Sequence, residues 1–371
     1  MIRPALATFA ILAILSVSSF AGTSYAIVNN GAHTANSVSA YKLDTANGTL
    51  SFYGKVGTTG QSLGGGIVAV GQAITSDAHC LFAIDTQSND IAAFASPSYK
   101  LVGKFSNSAL SFNSDGGTIA VSPNGKFLYG AYTGTSNIGA WQVNTNCSLT
   151  FIAAYVPSVG ADTYSGIGVS PNGSVLVVSA PDFEAAESFK VGSNGSLTDL
   201  GFVAFASVAA CASTGCFPAA LDFTKDSKIV VFGNSSGQPS VLTASLGTSG
   251  ALTNPQLWDL SNSQNLIFSN AVFLSAGAYA GSGFLYVGMF GGVVTASFTE
   301  SPLSITTTNS TVITNFAGGI ASTGDTLVLT EPPQDLATFK INSDGSLTPV
   351  STITDTAAGA VLWPTIYPNT R

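Results

Sequence analysis

The phrase Val-Ser-Pro-Asn-Gly occurs twice in the chain, each time ahead of an apolar run rich in β-forming residues. It begins at Val121 and again at Val169, 48 residues further on. A repeat of about 20 to 50 residues is typical of solenoids and propellers, whose units bury their cores against one another. The spacing therefore predicts that the chain is built from one repeated structural unit.

The clearest unit, residues 117–156, contains four short apolar runs separated by turn residues such as Pro-Asn-Gly. Six full units can be aligned this way. The N-terminal region has only three runs, and residues 358–369 form one run with no unit after it. We therefore predict an all-β fold, a seven-bladed β-propeller of four-stranded antiparallel blades, with the first blade closed by the C-terminal strand.

The first 21 residues have the pattern of a secretory signal peptide. Arg3 precedes the apolar stretch Ala5–Ala21, which ends in small residues. Cleavage after Ala26 is an alternative to cleavage after Ala21, and an uncleaved anchor is a second alternative. We expect residues 1–21 to be removed, residues 22–371 to form the propeller, and the product to be secreted, either periplasmic or extracellular.

Composition restricts the possible partners. Only 8% of the residues are charged, and 19 acidic residues face 11 basic ones. Nucleic acid is an improbable partner for such a chain, because binding phosphates requires a basic surface. Anionic membranes are disfavoured for the same reason. We expect a monomer, without a membrane partner after signal cleavage, that recognises a small molecule, a glycan or a protein at the propeller mouth.

The four cysteines favour disulfides in an exported chain. Cys211 and Cys216 close a very short loop and are predicted to pair. Cys80 and Cys147 fall in turns that project from the same face of neighbouring blades, so a second bridge is predicted there. The alternative for Cys80 is an ordinary buried thiol.

The segments GTIAVSPNGKFLYGAYTGTSNIGAWQV and YSGIGVSPNGSVLVVSAPDF resemble the lactonase-family propellers, which are 6-phosphogluconolactonase-like proteins in the style of YVTN repeats. The resemblance covers nearly the whole mature chain and implies the propeller fold. It also implies that an active site would use a His, an Arg-His pair and a Glu.

Those residues are missing where the resemblance would place them. Tyr164 and Ser165 stand where the His is expected, and residues 217–220 (Phe-Pro-Ala-Ala) occupy the region of the Arg-His pair. Asn234 is kept, but Ser235 replaces the Glu, and Arg371 is the one arginine outside the signal peptide. A phosphorylated lactone would normally require a cationic clamp. The site inherited from the family is therefore predicted to be absent.

Three acids are predicted to lie where second strands end, at the mouth of the propeller. Asp85, Asp182 and Glu331 belong to blades two, four and seven. Carboxylates that converge on a channel could hold Ca²⁺ or supply acid and base groups. The alternative is that each caps its own loop. His33 is the histidine predicted to face the mouth, where it could act as a general base or remain a solvated surface residue.

Two functions follow from these observations. The first is a secreted binding or scaffold propeller, with the catalytic His, Arg and Glu of the family absent. The second is a secreted lactone hydrolase, a carboxylic ester hydrolase with a rebuilt site that uses Asp182, Glu331 and His33. Fold alone does not decide between them, because propellers host many functions.

Overall fold

The computed structural model describes most of the chain after the predicted signal peptide. The described residues are 23–32, 34–62, 69–96, 98–112, 116–160, 164–212, 215–235, 239–260, 279–280, 283–316, 319–331, 335–355 and 362–367. The predicted signal peptide, residues 1–21, lies outside them.

Almost all regular structure in the described residues is β-strand. In chain order the strands are β1 Thr23–Asn29, β2 Ser37–Asp44, β3 Thr49–Gly57, β4 Ala69–Val70, β5 Gln72–Ile74, β6 Cys80–Asp85, β7 Asp90–Ala95, β8 Lys100–Phe105, β9 Gly116–Val121, β10 Phe127–Tyr132, β11 Asn137–Val143, β12 Leu149–Tyr155, β13 Gly166–Val169, β14 Val175–Ala180, β15 Ala185–Val191, β16 Leu197–Ala204, β17 Pro218–Phe223, β18 Ile229–Asn234, β19 Ser240–Leu246, β20 Leu252–Asp259, β21 Tyr279–Ala280, β22 Phe284–Glu300, β23 Leu303–Phe316, β24 Gly319–Thr323, β25 Thr326–Glu331, β26 Asp335–Ile341, β27 Leu347–Thr354 and β28 Leu362–Tyr367.

Three short 3₁₀ turns complete the regular elements of the described chain. They are Pro181–Phe183, Phe205–Ser207 and Ala209–Ala212. Within the described segments, no helix reaches the length and apolar character that a membrane crossing requires.

The strands assemble into seven sheets, and the predicted seven-bladed β-propeller is confirmed. Blades 1 to 7 are β28-β1-β2-β3, β5-β6-β7-β8, β9 to β12, β13 to β16, β17 to β20, β21 to β23 and β24 to β27. Consecutive strands within a blade are antiparallel. In blade 1, β28 pairs with β1 from the opposite end of the chain, with Ile366 opposite Ala26. Blade 3 carries an additional two-residue strand, β4, parallel to β9.

The repeated phrase forms the turn between the first and second strands of a blade. Asn124 Oδ1 accepts hydrogen bonds from Ser122 Oγ at 2.7 Å and from the Lys126 backbone N–H at 3.0 Å. Gly125 follows with φ of +70°, a conformation that a glycine adopts without steric cost. The same turn recurs around Asn172, whose Oδ1 accepts from Ser170 Oγ at 2.8 Å. The phrase is therefore structural, as its turn chemistry predicts.

Apolar packing between neighbouring blades closes the ring. In the part of the chain that the structure describes, buried residues form seven clusters, and each one joins strands of adjacent blades. Across the blade 7–blade 1 seam, for example, Val328 packs with Val28 and Tyr41. Because each blade has neighbours on both sides, second strands such as β6, β10 and β14 are buried along their whole length, whereas outer strands such as β3 and β8 have exposed residues at regular intervals.

Candidate functional site

Several second strands end in a buried polar residue. Strand β1 ends at Asn29, β6 at Asp85 and β18 at Asn234, each 0% exposed, and β25 ends at Glu331, which is 7% exposed. Because the second strands of all blades run in the same direction, these ends gather at one mouth of the propeller. Buried polar groups require partners, so their hydrogen bonds decide what each of them can do.

Asp85 links blade 2 to blade 1. Its Oδ1 accepts hydrogen bonds from Asn36 Nδ2 at 2.7 Å and from Thr58 Oγ1 at 2.8 Å, both from blade 1. The same Asn36 amide donates to Asn29 Oδ1 at 2.8 Å, and Asn29 Nδ2 donates to the Ile84 carbonyl at 2.9 Å. These contacts form a continuous polar network across the seam between the two blades.

A second carboxyl group lies beside Asp85 across the β6–β7 turn. Asp85 and Asp90 are register partners, and Asp90 Oδ2 forms an ion pair with Lys104 Nζ at 2.8 Å. Burial raises the pKa of Asp85 to about 7, and the neighbouring Asp90 adds to the rise through its charge and a hydrogen bond. The hydrogen bonds from Asn36 and Thr58 act in the opposite direction.

Glu331 occupies the corresponding position in blade 7. It is the register partner of Asp335 across the β25–β26 turn. Burial raises the pKa of Glu331, and the charge of Asp335 contributes to the rise. Asp335 Oδ1 accepts a hydrogen bond from Thr354 Oγ1 at 2.7 Å. A carboxyl group that holds its proton closer to neutral pH can act as a general acid or base.

Asp182 does not end a strand. Strand β14 stops at Ala180, and Asp182 lies exposed in the 3₁₀ turn Pro181–Phe183. Phe183 beside it is 49% exposed. The proline at the start of this turn cannot continue the ladder, because it lacks a backbone N–H. The predicted strand end was therefore wrong by two residues.

The predicted calcium site on Asp85, Asp182 and Glu331 is not assembled. Among the described residues, the group of three potential ligands within 4.8 Å of one another is His79, Cys80 and Cys147, not the three acids. The sulfur atoms of that group are joined in a disulfide. Asp85 is buried in a seam and Asp182 is exposed on a turn, so the three acids do not provide one shared oxygen cage. His33 lies outside the described residues.

Asn234 has a structural task in blade 5. Its Oδ1 accepts a hydrogen bond from the Phe217 backbone N–H at 2.8 Å, and its Nδ2 donates to Ser240 Oγ at 2.9 Å. The Ser235 hydroxyl donates to the Phe217 carbonyl at 3.2 Å. The Asn that the family resemblance retains therefore anchors the entry to β17.

Both predicted disulfides are present. Cys80 is bonded to Cys147 and joins blades 2 and 3, while Cys211 is bonded to Cys216 within the segment between β16 and β17. His79 lies beside the first bridge, and its Nε2 is 2.9 Å from the Thr145 carbonyl oxygen.

Sequence reasoning missed three residues that organise the seams. Asn36, Asp90 and Glu187 are each 5% exposed or less. Glu187 Oε1 accepts hydrogen bonds from the Ser158 backbone N–H at 2.8 Å and from Ser158 Oγ at 2.9 Å, and Oε2 accepts from the Val159 N–H at 2.8 Å. An acid in the middle of the apolar run AAESFKV was an available signal for Glu187.

These features define a class, a disulfide-bonded seven-bladed β-propeller with buried polar side chains at the ends of several second strands. No protein-family model matches the sequence, and no curated protein matches it. Solved structures do match. A Bacteroides fragilis protein provisionally named a 6-phosphogluconolactonase has a TM-score of 0.73 at 15% identity, covering 94% of this chain and 99% of that one.

Two further structures agree with that result. A Bacteroides uniformis protein with the same provisional name gives a TM-score of 0.72 at 12% identity, covering 93% of this chain and 99% of that one. The periplasmic gluconolactonase PpgL of Pseudomonas aeruginosa gives 0.68 at 13%, covering 92% and 99%. These TM-scores demonstrate a shared fold, while identities this low show nothing beyond the fold, and the resemblance inferred from the repeats is confirmed at that level.

Proposed function

We propose that the mature chain is an exported binding propeller whose mouth recognises a hydroxyl-rich small molecule or the end of a glycan. The observation that carries this proposal is that buried polar residues at the second-strand ends are hydrogen-bonded to other parts of the propeller. Asp85 and Asn234 already bind groups of their own or a neighbouring blade. Such residues support a rigid mouth, and they are poorly placed to exchange protons with a substrate.

The charge of the chain supports a ligand without phosphate. Its two arginines are Arg3, within the predicted signal peptide, and Arg371, the last residue. Lys104 is paired with Asp90 in the blade 1–blade 2 seam. Recognition of phosphate normally relies on guanidinium or ammonium groups, whereas neutral hydroxyl groups bind well to amides and hydroxyls. We therefore infer that the ligand is neutral or carries little charge.

Export is supported by two independent features. The predicted signal peptide at residues 1–21 would direct the chain out of the cytoplasm. The chain also contains two disulfides, and disulfides persist in oxidising compartments and are rare in reducing ones. The name of the Pseudomonas aeruginosa neighbour places that protein in the periplasm.

A second candidate function, lactone hydrolysis, is favoured by one observation. Glu331 is largely buried, and its pKa is raised by burial and by Asp335. A carboxyl group in that state could activate water against a lactone carbonyl. The names of the structural neighbours include lactonases, but their low identities carry the fold alone.

One experiment separates the two candidates. The disulfide-bonded mature chain would be incubated with glucono-δ-lactone while acid release is recorded against the spontaneous rate. Thermal unfolding would be measured in parallel with the lactone and with gluconate. We expect no acceleration, together with a higher unfolding midpoint, because a ligand at about a hundred times its Kd adds roughly 2.7 kcal/mol. Acceleration that is lost in Glu331→Gln and kept in the exposed variant Asp325→Asn would replace this proposal with the hydrolase.

A further inference from the structure

The seam between blades 1 and 2 contains two buried carboxyl groups that face each other. Asp85 ends β6 and Asp90 begins β7, and the two are register partners across the turn. Asp85 is 0% exposed and Asp90 is 5% exposed. Two ionised carboxylates at such a site would repel each other in a medium that screens charge poorly.

Each of these carboxyl groups has one satisfied oxygen and one oxygen without a donor. Asp85 Oδ1 accepts from Asn36 at 2.7 Å and from Thr58 at 2.8 Å, and Asp90 Oδ2 pairs with Lys104 at 2.8 Å. Asp85 Oδ2 and Asp90 Oδ1 are both buried without a hydrogen-bond partner. A buried acceptor without a donor costs free energy. These two oxygens therefore require either a proton or a bound cation.

A proton fits this requirement, and a metal ion does not. Calcium takes six to eight oxygen ligands at about 2.3–2.6 Å, and this seam offers two unpartnered carboxyl oxygens. Gly60 also packs directly over Asp85, since a Cβ added there would fall 2.0 Å from Oδ2. A single proton between the two oxygens needs no such space and satisfies both, as one oxygen donates and the other accepts.

We propose that Asp85 and Asp90 share one proton and thereby form a pH-sensitive clasp between blades 1 and 2. The clasp reaches blade 1 through Asn36, which directly precedes β2, and Thr58, which directly follows β3. Both residues lie at the mouth. Among the described residues, Lys104 from β8 is the charged group that contacts the pair. The loop between β1 and β2 also carries His33, outside the described residues. Loss of the shared proton places a second negative charge in the seam and weakens the attachment of blade 1.

The pH range follows from the pKa of Asp85. Burial and Asp90 raise the pKa of Asp85 from an ordinary 3.8 to about 7. Between those two values the folded protein retains a proton that the unfolded chain releases. The unfolding free energy contributed by this pair is therefore greatest at and below about pH 4, declines as the pH rises towards 7, and is lost above it.

The test uses the full disulfide-bonded chain and the variant Asp85→Asn. Asparagine can keep an oxygen towards Asn36 and Thr58, and it places an NH₂ group towards Asp90 as a permanent donor. The control is Asp325→Asn at an exposed turn position. Infrared spectra at about pH 6 would record the carbonyl stretch of a protonated carboxyl group, and urea unfolding would be followed from about pH 4 to pH 8.

We expect a buried protonated-carboxyl band in the parent chain and in Asp325→Asn that loses intensity in Asp85→Asn. We also expect Asp85→Asn to flatten the decline in unfolding free energy between about pH 4 and 7. An unchanged band together with an unchanged pH profile in Asp85→Asn would overturn the proposal. If that variant does not fold, ¹³C titration of the aspartate side-chain carbons in the parent chain decides. One strongly coupled pair titrating near neutral pH supports the clasp, and its absence overturns it.

Discussion

Two seams of this propeller use a buried acid to bind the neighbouring blade, and they satisfy it differently. At the seam between blades 3 and 4, Glu187 accepts three hydrogen bonds from Ser158 and Val159 that occupy both of its oxygens. At the seam between blades 1 and 2, Asp85 accepts two, both on Oδ1. Its Oδ2 has no hydrogen-bond donor, and the carboxyl group of Asp90 lies beside Asp85.

The difference shows how the same structural role, an acid that binds the neighbouring blade, can depend less or more strongly on pH. Backbone N–H groups always donate, so the partners of Glu187 on the neighbouring loop are fixed. Burial still raises the pKa of Glu187, but the hydrogen bonds from Val159 and Ser158 favour its charged form. The second oxygen of Asp85 depends on a proton that solution conditions supply or remove. The two seams therefore respond differently to the same substitutions.

The largest effect on stability is expected at the seam between blades 2 and 3, which are joined by a disulfide. Cys80–Cys147 links residues 67 positions apart, whereas Cys211–Cys216 links residues 5 positions apart. A bridge that closes a longer loop restricts the unfolded chain more. The double variant Cys80→Ser/Cys147→Ser should lose about 4 kcal/mol of unfolding free energy, and Cys211→Ser/Cys216→Ser about 2 kcal/mol.

Urea unfolding monitored by tryptophan fluorescence measures both disulfide variants. Equal losses would show that the two bridges stabilise by local packing, and that neither one acts mainly by restricting the unfolded chain. A larger loss for the short loop would contradict the prediction outright.

Glu187 and Asp85 should differ most clearly in the stability that is lost when each acid is replaced by its amide. In Glu187→Gln the new NH₂ group would face the Val159 N–H, so two donors would meet in a buried site. We expect a loss of about 3 kcal/mol, because hydrogen bonds to a charged acceptor are removed and a buried donor is left unsatisfied. Asp85→Asn should cost much less, since its new donor faces the acceptor Asp90.

Urea unfolding at about neutral pH, where the clasp has begun to lose its proton, provides the comparison for these two variants. Asp325→Asn, on an exposed turn, serves as the control. Similar losses for Glu187→Gln and Asp85→Asn would mean that the two seams are equivalent, and the distinction between them would have to be abandoned.

A steric change tests the packing over the clasp. In Gly60→Ala the new methyl group would fall 2.0 Å from Asp85 Oδ2, so the carboxyl group or the backbone must move. We expect a loss of about 2 kcal/mol, typical of overpacking in a well-packed interior. The matched control is Gly54→Ala, where nothing lies within 4 Å of the added Cβ. Thermal unfolding of the two variants should differ clearly, and equal midpoints would show that Gly60 has room to adjust.

The sequence predicted the fold because propeller blades repeat the same local signals. Turn phrases such as that at Val121 place strand ends within a blade, and this was sufficient to pair Cys80 with Cys147 across two blades. Distances across the mouth do not follow from such local signals. The calcium hypothesis therefore placed Asp85 and Glu331 on the correct strand ends, but it could not determine that Asp182 is exposed on a turn and that the three acids do not converge.

The clasp itself was not predicted, because its partners are distant in sequence and ordinary in type. Asn36 and Thr58 lie 49 and 27 residues from Asp85, in loops without a distinctive motif. Each residue alone is compatible with a solvated loop. Their function depends on which loops meet at a seam, and this is settled by the packing of whole blades.

The smallest effect, and the most selective one, is expected from the cation of the clasp. The Lys104 side chain is 31% exposed and pairs with the buried Asp90, whereas the Lys228 side chain is 76% exposed and pairs with Asp226. Lys104→Met should lower the unfolding free energy by about 1 kcal/mol, because Asp90 loses its counter-charge in a poorly solvated site. Lys228→Met should have no measurable effect, as is common for exposed ion pairs.

Without the Lys104 ammonium group, the carboxyl pair should also hold its shared proton more tightly, so its ¹³C titration should move to higher pH. A titration that stays in place would mean that Lys104 does not influence the clasp, and that the two acids alone set its response to pH.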